Sequence, residues 1–318
     1  KEIEKKIKNI QNIFKIFLKT NNSKTKPIFV NNYKWLNKLN YINFLREIGK
    51  HFTVNKMLTF DSVKLRLERE QSLSYMEFNY MMLQAYDFYE LNKRQKCILQ
   101  IGGSDQWGNI VNGTDLIKRK EKKIAYGLTT PLITLASGAK MGKTEKGAIW
   151  LNEKILSSYE YWQFWRNTDD KDVMRFLNFF TDIKVEKIKE ISNSKNINDL
   201  KIILANETTK ILHGKTKSDL AEKTASDVFR LGKINENLPT KKILKKDLEL
   251  GKKLIDLLVD NNIMSSKSEA RRAINNNGIK INDLLVNDEK KLIINEDFNQ
   301  EKMKISFGKK KHFLFKLI

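Results

Sequence analysis

Residues 97–109 read CILQIGGSDQWGN, and this stretch predicts the fold of the first part of the chain. A short apolar run, Cys97–Ile101, ends abruptly at Gly102 and Gly103, which is typical of a buried strand that runs into a tight turn. A helical pattern, Trp107–Lys118, follows directly, and a second apolar run, Leu128–Thr134, predicts another strand. This order of elements favours an α/β fold, in which ligands bind beyond the carboxyl ends of the strands.

Polar residues follow the glycines at this predicted strand end. Glycine lets a backbone approach a ligand closely, so Gly103 and its neighbours form a candidate binding turn. Asp105 is placed to accept hydrogen bonds from the hydroxyls of a sugar, and Gln106 to bind a polar head group. The stretch is not the dinucleotide fingerprint, because the second half of Gly-x-Gly-x-x-Gly is missing. A tight turn with a Ser or Asp cap explains the same residues.

A long helix is predicted over Leu73–Glu90, which contains neither glycine nor proline and is dense in Met, Leu, Tyr and Phe. Tyr80, Gln84 and Asp87 are spaced by four and then three residues, so they share one face of this helix. Polar groups on one stripe of a buried helix must satisfy each other or a ligand. The alternative is an ordinary solvent-facing stripe.

Residues 138–144 form a glycine- and lysine-containing loop. A phosphate-binding loop needs four residues between its glycines, and here only three lie between Gly138 and Gly142. What remains is Lys140 and Lys143 on a mobile loop, which suits the developing charge on a leaving phosphate. The alternative is a solvated basic loop.

Composition restricts the function further. The chain has 318 residues, 60 Lys and Arg against 38 Asp and Glu, and a formal net charge of +22, which favours a polyanionic partner, although a coding bias toward Lys and Asn explains part of it. One cysteine, Cys97, and three scattered histidines exclude a disulfide scaffold and argue against any metal site in the protein. No apolar run is long enough to span a membrane, so we expect a soluble protein.

The pattern of elements predicts several domains. Residues 1–150 form the α/β part, and residues 151–235 carry helical patterns with almost no strand signal. Residues 236–251, with Pro239 and several lysines, are typical of a linker. Residues 252–318 predict two helices followed by short strands, a small α+β domain.

The small C-terminal domain carries net charge +5, from 14 basic and 9 acidic residues. Ser266 and Glu269 predict a capping box at the start of a helix. Lys267 and Arg271 then share one helix face, with Arg272 beside them. A turn near the end of the chain carries further lysines, among them Lys309 and Lys310. By itself this pattern also fits a solvated basic face.

Together these motifs resemble those of bacterial-type tyrosyl-tRNA synthetases, a family of class I aminoacyl-tRNA synthetases, over essentially the whole chain. The motifs are Asn31-Asn-Tyr-Lys-Trp35, Met81-Met-Leu-Gln-Ala-Tyr-Asp-Phe88, Gln100-Ile-Gly-Gly-Ser-Asp-Gln-Trp-Gly-Asn109, Lys140-Met-Gly-Lys-Thr144 and Trp162-Gln-Phe-Trp165 with Asn167-Thr-Asp-Asp170. The lysine loop is similar to the Lys-Met-Ser-Lys-Ser signature of class I, with Gly142 and Thr144 as departures. The tail resembles an RNA-binding fold shared with a ribosomal protein.

The resemblance implies a partial Rossmann-like catalytic domain and a role for each candidate residue. Asp87 would accept a hydrogen bond from the substrate phenol, Tyr80 and Gln84 would hold the α-ammonium group, and Gln106 would lie near the carboxylate. Gly103 and Asp105 would face the adenylate ribose. Lys140 and Lys143 would stabilise the departing pyrophosphate, and Lys143 would also contact ATP. The phosphates of the tRNA would be contacted by basic residues of the tail: Lys267, Arg271, Arg272, Lys309 and Lys310.

The resemblance further implies ATP with Mg²⁺ as substrate, no prosthetic group, tRNA(Tyr) as partner and a homodimer formed near residues 40–70. The His-Ile-Gly-His-like motif of the family is missing, so we expect the amino-terminal part of the catalytic domain to precede Lys1. We expect either a bacterial cytoplasm or an organelle, the plastid or the mitochondrial matrix. Two alternatives stay open: a tryptophanyl-tRNA synthetase relative, and a synthetase-derived RNA-binding or splicing protein without activity.

Overall fold

The computed structural model describes residues 2–18, 23–139, 141, 143–144, 147–231, 238–308 and 311–318. By packing, the chain divides into two compact units, Lys26–Met141 and a larger unit of Lys1–Thr25 with Gly142–Ile318. Helix α1, Glu2–Phe17, belongs to the larger unit and contacts one of its later helices. The domain boundaries expected at residues 150 and 235 stay a prediction.

The 26–141 unit has the predicted order of strand, turn, helix and strand, which confirms the α/β class. Its two strands are parallel, with Leu99 opposite Tyr126 and Gly103 opposite Thr130. The elements are α2 Tyr33–Leu36, α3 Tyr41–Glu47, α4 Val54–Leu58, α5 Asp61–Glu68, α6 Tyr75–Gln95, β1 Leu99–Gly103, α7 Trp107–Glu121 and β2 Tyr126–Thr130. Of the three short helices α3 to α5, the first two are separated by a 3₁₀ turn, Gly49–His51.

Helices α6 and α7 form the core of this unit. Ser74 caps α6 in a reciprocal box with Glu77, which fixes the predicted start of the helix to within two residues. Met81, Ala85 and Phe88 are buried on the inner face of α6. The two helices approach closely at Gly113 of α7, where an added Cβ would lie 2.9 Å from the ring of Phe88. Glycine is therefore required for this helix spacing.

The two faces of the β1–β2 sheet differ. One face packs on α7, where Gly102 and Gly127 leave room for the side chain of Ile110. The opposite face carries large apolar side chains that are exposed within the described chain: Leu99, Ile101, Tyr126 and Leu128. Parallel sheets normally bury both faces, whereas among the described residues only the α7 face of this sheet is covered.

After α1, the larger unit continues from residue 142 with a small hairpin and then helices. Strand β3, Lys143–Thr144, pairs antiparallel with β4, Gly147–Ala148. Helices α8 Ser158–Arg166, α9 Asp170–Phe180, α10 Val185–Ser194, α11 Ile197–His213 and α12 Lys215–Leu231 follow. They pack around Trp162 and Trp165, both almost completely buried, so the helical segment predicted after Trp150 is confirmed.

The C-terminal part of the larger unit is built on a five-stranded sheet of order β5-β11-β10-β7-β8. Its elements are β5 Thr240–Ile243, β6 Lys252–Lys253, α13 Leu254–Asp260, α14 Lys267–Asn275, β7 Ile279–Ile281, β8 Leu284–Leu285, β9 Leu292–Ile293, β10 Lys302–Phe307 and β11 Lys311–Leu317. Strands β6 and β9 pair separately. The predicted two helices followed by short strands are found here.

The segment 236–251 differs from the predicted linker. Strand β5 lies inside it and pairs in parallel with β11, from Thr240 opposite Leu314 to Ile243 opposite Leu317. Ile243 and Leu248 are buried in the same core as Phe315. The lysines between them conceal these two apolar positions in the sequence, so the segment was assigned by its composition rather than by its buried residues.

Candidate active site

The carboxylate of Asp87 lies on the predicted stripe of α6 and already has two protein donors. Trp35 donates from Nε1 to Oδ1 at 2.7 Å, and Asn32 donates from Nδ2 to Oδ2 at 2.9 Å. Trp35 is buried beside the guanidinium of Arg94, which lies 5.6 Å from its ring centroid. The two donors fix the plane of the carboxylate, and each oxygen keeps a lone pair for a further donor.

One turn back along the stripe, Gln84 is joined to the turn after β1. Asn109 donates from Nδ2 to Oε1 of Gln84 at 3.0 Å and to Oε1 of Gln106 at 3.2 Å. All three amides are partly buried. Gln84 and Gln106, which the sequence placed on different elements, therefore meet through a residue of α7.

Tyr80 stands at the outer end of the stripe and is 60% exposed. It lines a cavity of about 200 Å³ together with Asn109 and the ion pair of Arg66 with Glu77. A cavity with convergent polar groups at the end of such a stripe is the expected form of a small-molecule site. The structure thus brings Tyr80, Gln84, Asp87 and Gln106 together within one compact unit.

Gly103 and Asp105 lie at the carboxyl end of β1. A Cβ on Gly103 would come within 2.7 Å of Oδ1 of Asp105 and 3.0 Å of Leu132. The glycine therefore makes room for the aspartate, which is itself exposed at the start of α7. An exposed carboxylate beside a bare backbone is suited to a hydroxyl-rich ligand.

The two lysines of the 138–144 loop are only partly covered by the structure. Lys140 lies outside the described residues. Lys143 is the first residue of β3 and pairs with Ala148, and it belongs to the larger unit.

The basic residues of the tail lie on α14 and are exposed. Ser266 caps this helix through the backbone N–H of Glu269, as predicted, but the return bonds to Glu269 come from Ser265. Lys267 pairs with Asp256 at 2.8 Å, and Arg271 lies 3.8 Å from Glu289. Arg272 has no ion pair among the residues described. Lys309 and Lys310 lie outside the described residues.

Three residues of the site were missed by the sequence argument: Asn32, Trp35 and Asn109. All three stand inside the motifs quoted above, and their side chains are hydrogen-bond donors. The signal was present in those motifs, but nothing in the spacing pointed to their partners.

Burial and hydrogen bonds shift the pKa values of several side chains of α6. Burial, followed by a hydrogen bond with Glu90, holds the pKa of Tyr86 well above its usual value. Burial and the hydrogen bond to Glu121 raise the pKa of Tyr89 to about 12. Hydrogen bonds from Arg66 and Ser74 lower the pKa of Glu77 to about 2. At neutral pH the phenols of Tyr86 and Tyr89 are therefore neutral, and the carboxylate of Glu77, which lines the cavity, is charged.

Comparison with known families identifies the family to which the chain belongs. The family described as tRNA synthetases class I (W and Y) matches residues 1–230, and a tyrosine–tRNA ligase SYY-like C-terminal domain matches residues 231–315. The chain belongs to the class I tRNA synthetases of this family. Within it, the chain is a member of the tyrosine–tRNA ligases, which are aminoacyl-tRNA ligases, and the resemblance drawn from the motifs is confirmed.

Curated relatives support this membership. A tyrosine–tRNA ligase of Pelagibacter ubique is 62% identical over 317 residues, covering 100% of this chain and 77% of its own length. One of Mesorhizobium japonicum is 51% identical and is covered over 75% of its length. The crystal structure of a C-terminally truncated mitochondrial tyrosyl-tRNA synthetase of Coccidioides posadasii superposes with a TM-score of 0.58 at 29% identity. That match covers 69% of this chain and 65% of the other.

Proposed function

We propose that this chain activates tyrosine with ATP and transfers the tyrosyl group to tRNA(Tyr), the reaction of a tyrosine–tRNA ligase. In the first step a carboxylate oxygen of tyrosine attacks the α-phosphorus of ATP, and the bond to the bridging oxygen breaks to release pyrophosphate. In the second, a hydroxyl of the terminal ribose of the tRNA attacks the tyrosyl carbonyl, and AMP leaves. The observation that carries the proposal is the stripe Tyr80, Gln84, Asp87 with its joined amides.

Tyrosine would lie along α6. Tyr80 and Asp87 are seven residues apart, which is about 10 Å along a helix at 1.5 Å per residue, and this length accommodates an extended tyrosine. The phenol would donate to Asp87, the ammonium group would meet Tyr80 and Gln84, and the carboxylate would lie near Gln106. The phenol O–H would donate to one of the lone pairs that Asn32 and Trp35 leave open on Asp87, whereas the side chain of phenylalanine has no donor to offer it.

ATP would occupy the strand end. Gly103 and Asp105 would face the adenylate ribose, and the ammonium groups of Lys140 and Lys143 would stabilise charge on the leaving pyrophosphate. Among the described residues no group of three His, Cys, Asp or Glu side chains gathers to hold a metal. We propose that Mg²⁺ comes as part of the ATP substrate, held chiefly by its phosphates. The proposal involves no prosthetic group.

The tail would meet the tRNA. Lys267, Arg271 and Arg272, with Lys309 and Lys310, would contact phosphates, which position the RNA without reading its sequence. We also propose a symmetric homodimer through the region near residues 40–70, where large side chains are exposed: Tyr41, Ile42, Val54, Leu65 and Leu67.

The compartment is inferred from the relatives of the chain. No helix of the described chain is long and apolar enough to cross a membrane. The bacterial relatives favour a bacterial cytoplasm over an organelle.

Tyrosine-dependent exchange of pyrophosphate into ATP tests the proposal, measured on the product of the complete gene. We expect exchange with tyrosine and little with phenylalanine or tryptophan. Exchange with tryptophan would support the tryptophanyl alternative. Tight binding of tRNA without any exchange would support an RNA-binding protein without activity.

The lysine loop has its own test. Lys143→Ala should lower the rate of tyrosyl-adenylate formation by roughly 10²–10³, since the lysine acts on charge that develops in the transition state. Tyrosine affinity should barely change. Lys24→Ala, which removes a lysine outside the proposed site, is the matched control. Loss of ground-state binding with an unchanged chemical rate in single-turnover kinetics would contradict the assignment.

A further inference from the structure

Asn109 is the third residue of α7 and has no role in the scheme above. It uses its side-chain nitrogen twice, toward Oε1 of Gln84 at 3.0 Å and Oε1 of Gln106 at 3.2 Å. A primary amide carries two N–H donors, so both are committed to the two glutamines. The residue also lines the cavity that contains Tyr80.

The orientation of a glutamine amide decides what it offers a substrate. Its oxygen accepts and its nitrogen donates, and the two ends have nearly the same shape, so only a hydrogen-bond partner distinguishes them. A donor beside Oε1 of Gln106 turns the Nε2 donors to the other side of the amide. A donor beside Oε1 of Gln84 leaves that oxygen one further lone pair.

These two orientations match the two ends of an α-amino acid. A carboxylate needs donors, which Nε2 of Gln106 supplies. An ammonium group needs acceptors, which the remaining lone pair of Gln84 supplies beside the hydroxyl of Tyr80. If either amide rotated by half a turn, it would present like polarity to the substrate and lose a hydrogen bond to it.

We propose that Asn109 is a positioning residue that holds the amides of Gln84 and Gln106 in the orientation required by the zwitterionic head group of the amino acid. This inference rests on the proposed function. Asn109 touches the glutamines and performs no chemistry, so its loss changes the recognition of the head group rather than that of the phenol.

Asn109→Leu in the product of the complete gene tests the proposal, because leucine is similar in size, neutral and unable to donate. KM for tyrosine should rise about tenfold, the effect of losing roughly two neutral hydrogen bonds, while kcat of pyrophosphate exchange changes less. Equilibrium binding of tyrosinol, which lacks the carboxylate, should weaken less than that of tyrosine. Discrimination between tyrosine and phenylalanine should stay unchanged.

Asn112→Leu is the matched control on the same helix. Asn112 is buried, and its side-chain nitrogen has no hydrogen-bond partner within the described chain, so the substitution should leave the ratio of tyrosine to tyrosinol affinity unchanged. Asn109→Ser serves as a second test should the leucine variant fail to fold, since one hydroxyl cannot reach both glutamines.

The outcomes separate the inference from the proposed function. Equal losses of tyrosine and tyrosinol affinity, or an unchanged KM for tyrosine, would overturn the role of Asn109 while wild-type exchange with tyrosine continued. Absence of tyrosine-dependent exchange in the wild-type protein would overturn the proposed function, and with it this inference.

Discussion

The α6–α7 pair and the C-terminal sheet arrange polar groups in opposite ways. On α6, the carboxylate of Asp87 is bonded to Asn32 and Trp35, and the amide of Gln84 is bonded to Asn109 of α7. In the C-terminal part the core is mostly apolar, and the charges of α14 stand outside it in water. We therefore expect the proposed binding of the amino acid to depend on the exact placement of single polar atoms in the first region. The proposed binding of tRNA should depend mainly on the total charge of the second.

The strongest test of this contrast removes the carboxylate of Asp87. Asp87→Ala should reduce discrimination of tyrosine against phenylalanine by about 2–4 kcal/mol, because the phenol loses a charged acceptor in a site built to pair it. The measurement is the ratio of kcat/KM for the two amino acids in pyrophosphate exchange. An unchanged ratio would contradict the proposal that Asp87 accepts a hydrogen bond from the phenol of tyrosine. Asp61→Ala, a carboxylate of the same unit outside the stripe, is the control.

Removing one supporting donor should have a smaller effect of the same kind. Trp35→Phe keeps an aromatic ring but deletes the Nε1 bond to Asp87, which should cost about 1.5 kcal/mol of tyrosine binding. Trp107→Phe, at a half-exposed tryptophan with no such bond to Asp87, serves as control in the same titration with tyrosine. Equal effects of the two substitutions would mean that Trp35 acts through packing alone.

On the C-terminal surface, the exact placement of any one basic side chain should have little effect on tRNA binding. Replacing Lys267, Arg271 and Arg272 together by alanine should weaken tRNA binding by about tenfold and reduce its dependence on salt, with exchange activity preserved. Deletion of the whole module should start before β5 rather than at residue 252, because β5 belongs to its sheet. A parallel loss of exchange and aminoacylation would assign the module a structural role.

The smallest effect concerns the start of α6. The pKa of Glu77 is lowered to about 2 from 4.5 by Arg66 and Ser74, so the ionised carboxylate stabilises the folded protein above pH 4.5. That contribution should be lost as the pH falls from 4.5 toward 2. Glu77→Gln should flatten this part of the curve of melting temperature against pH, and Glu70→Gln should not. The pair is exposed, so the change should be slight.

The sequence predicted local features of the fold and the site better than distant ones. The stripe on α6 and the strand end after β1 each follow from the spacing of neighbouring residues. The donors of Asp87 come from 55 and 52 residues away, and Asn109 meets Gln84 across 25 residues. Helical periodicity carries no information about such pairings. Strand β5 was missed for a related reason, since its partner is the last strand of the chain.

Gly113 affects the proposed site as well as the packing of α6 on α7. Phe88 follows Asp87 directly on α6 and rests against Gly113 of α7, the helix that also carries Asn109. The distance between the helix that carries Asp87 and the helix that carries Asn109 is therefore limited by a residue without a side chain. A methyl group at this position would push the helices apart by some tenths of an ångström, which is enough to weaken bonds already 3.0 and 3.2 Å long. The proposed recognition of the amino-acid head group thus depends in part on a backbone position that the substrate itself would not touch.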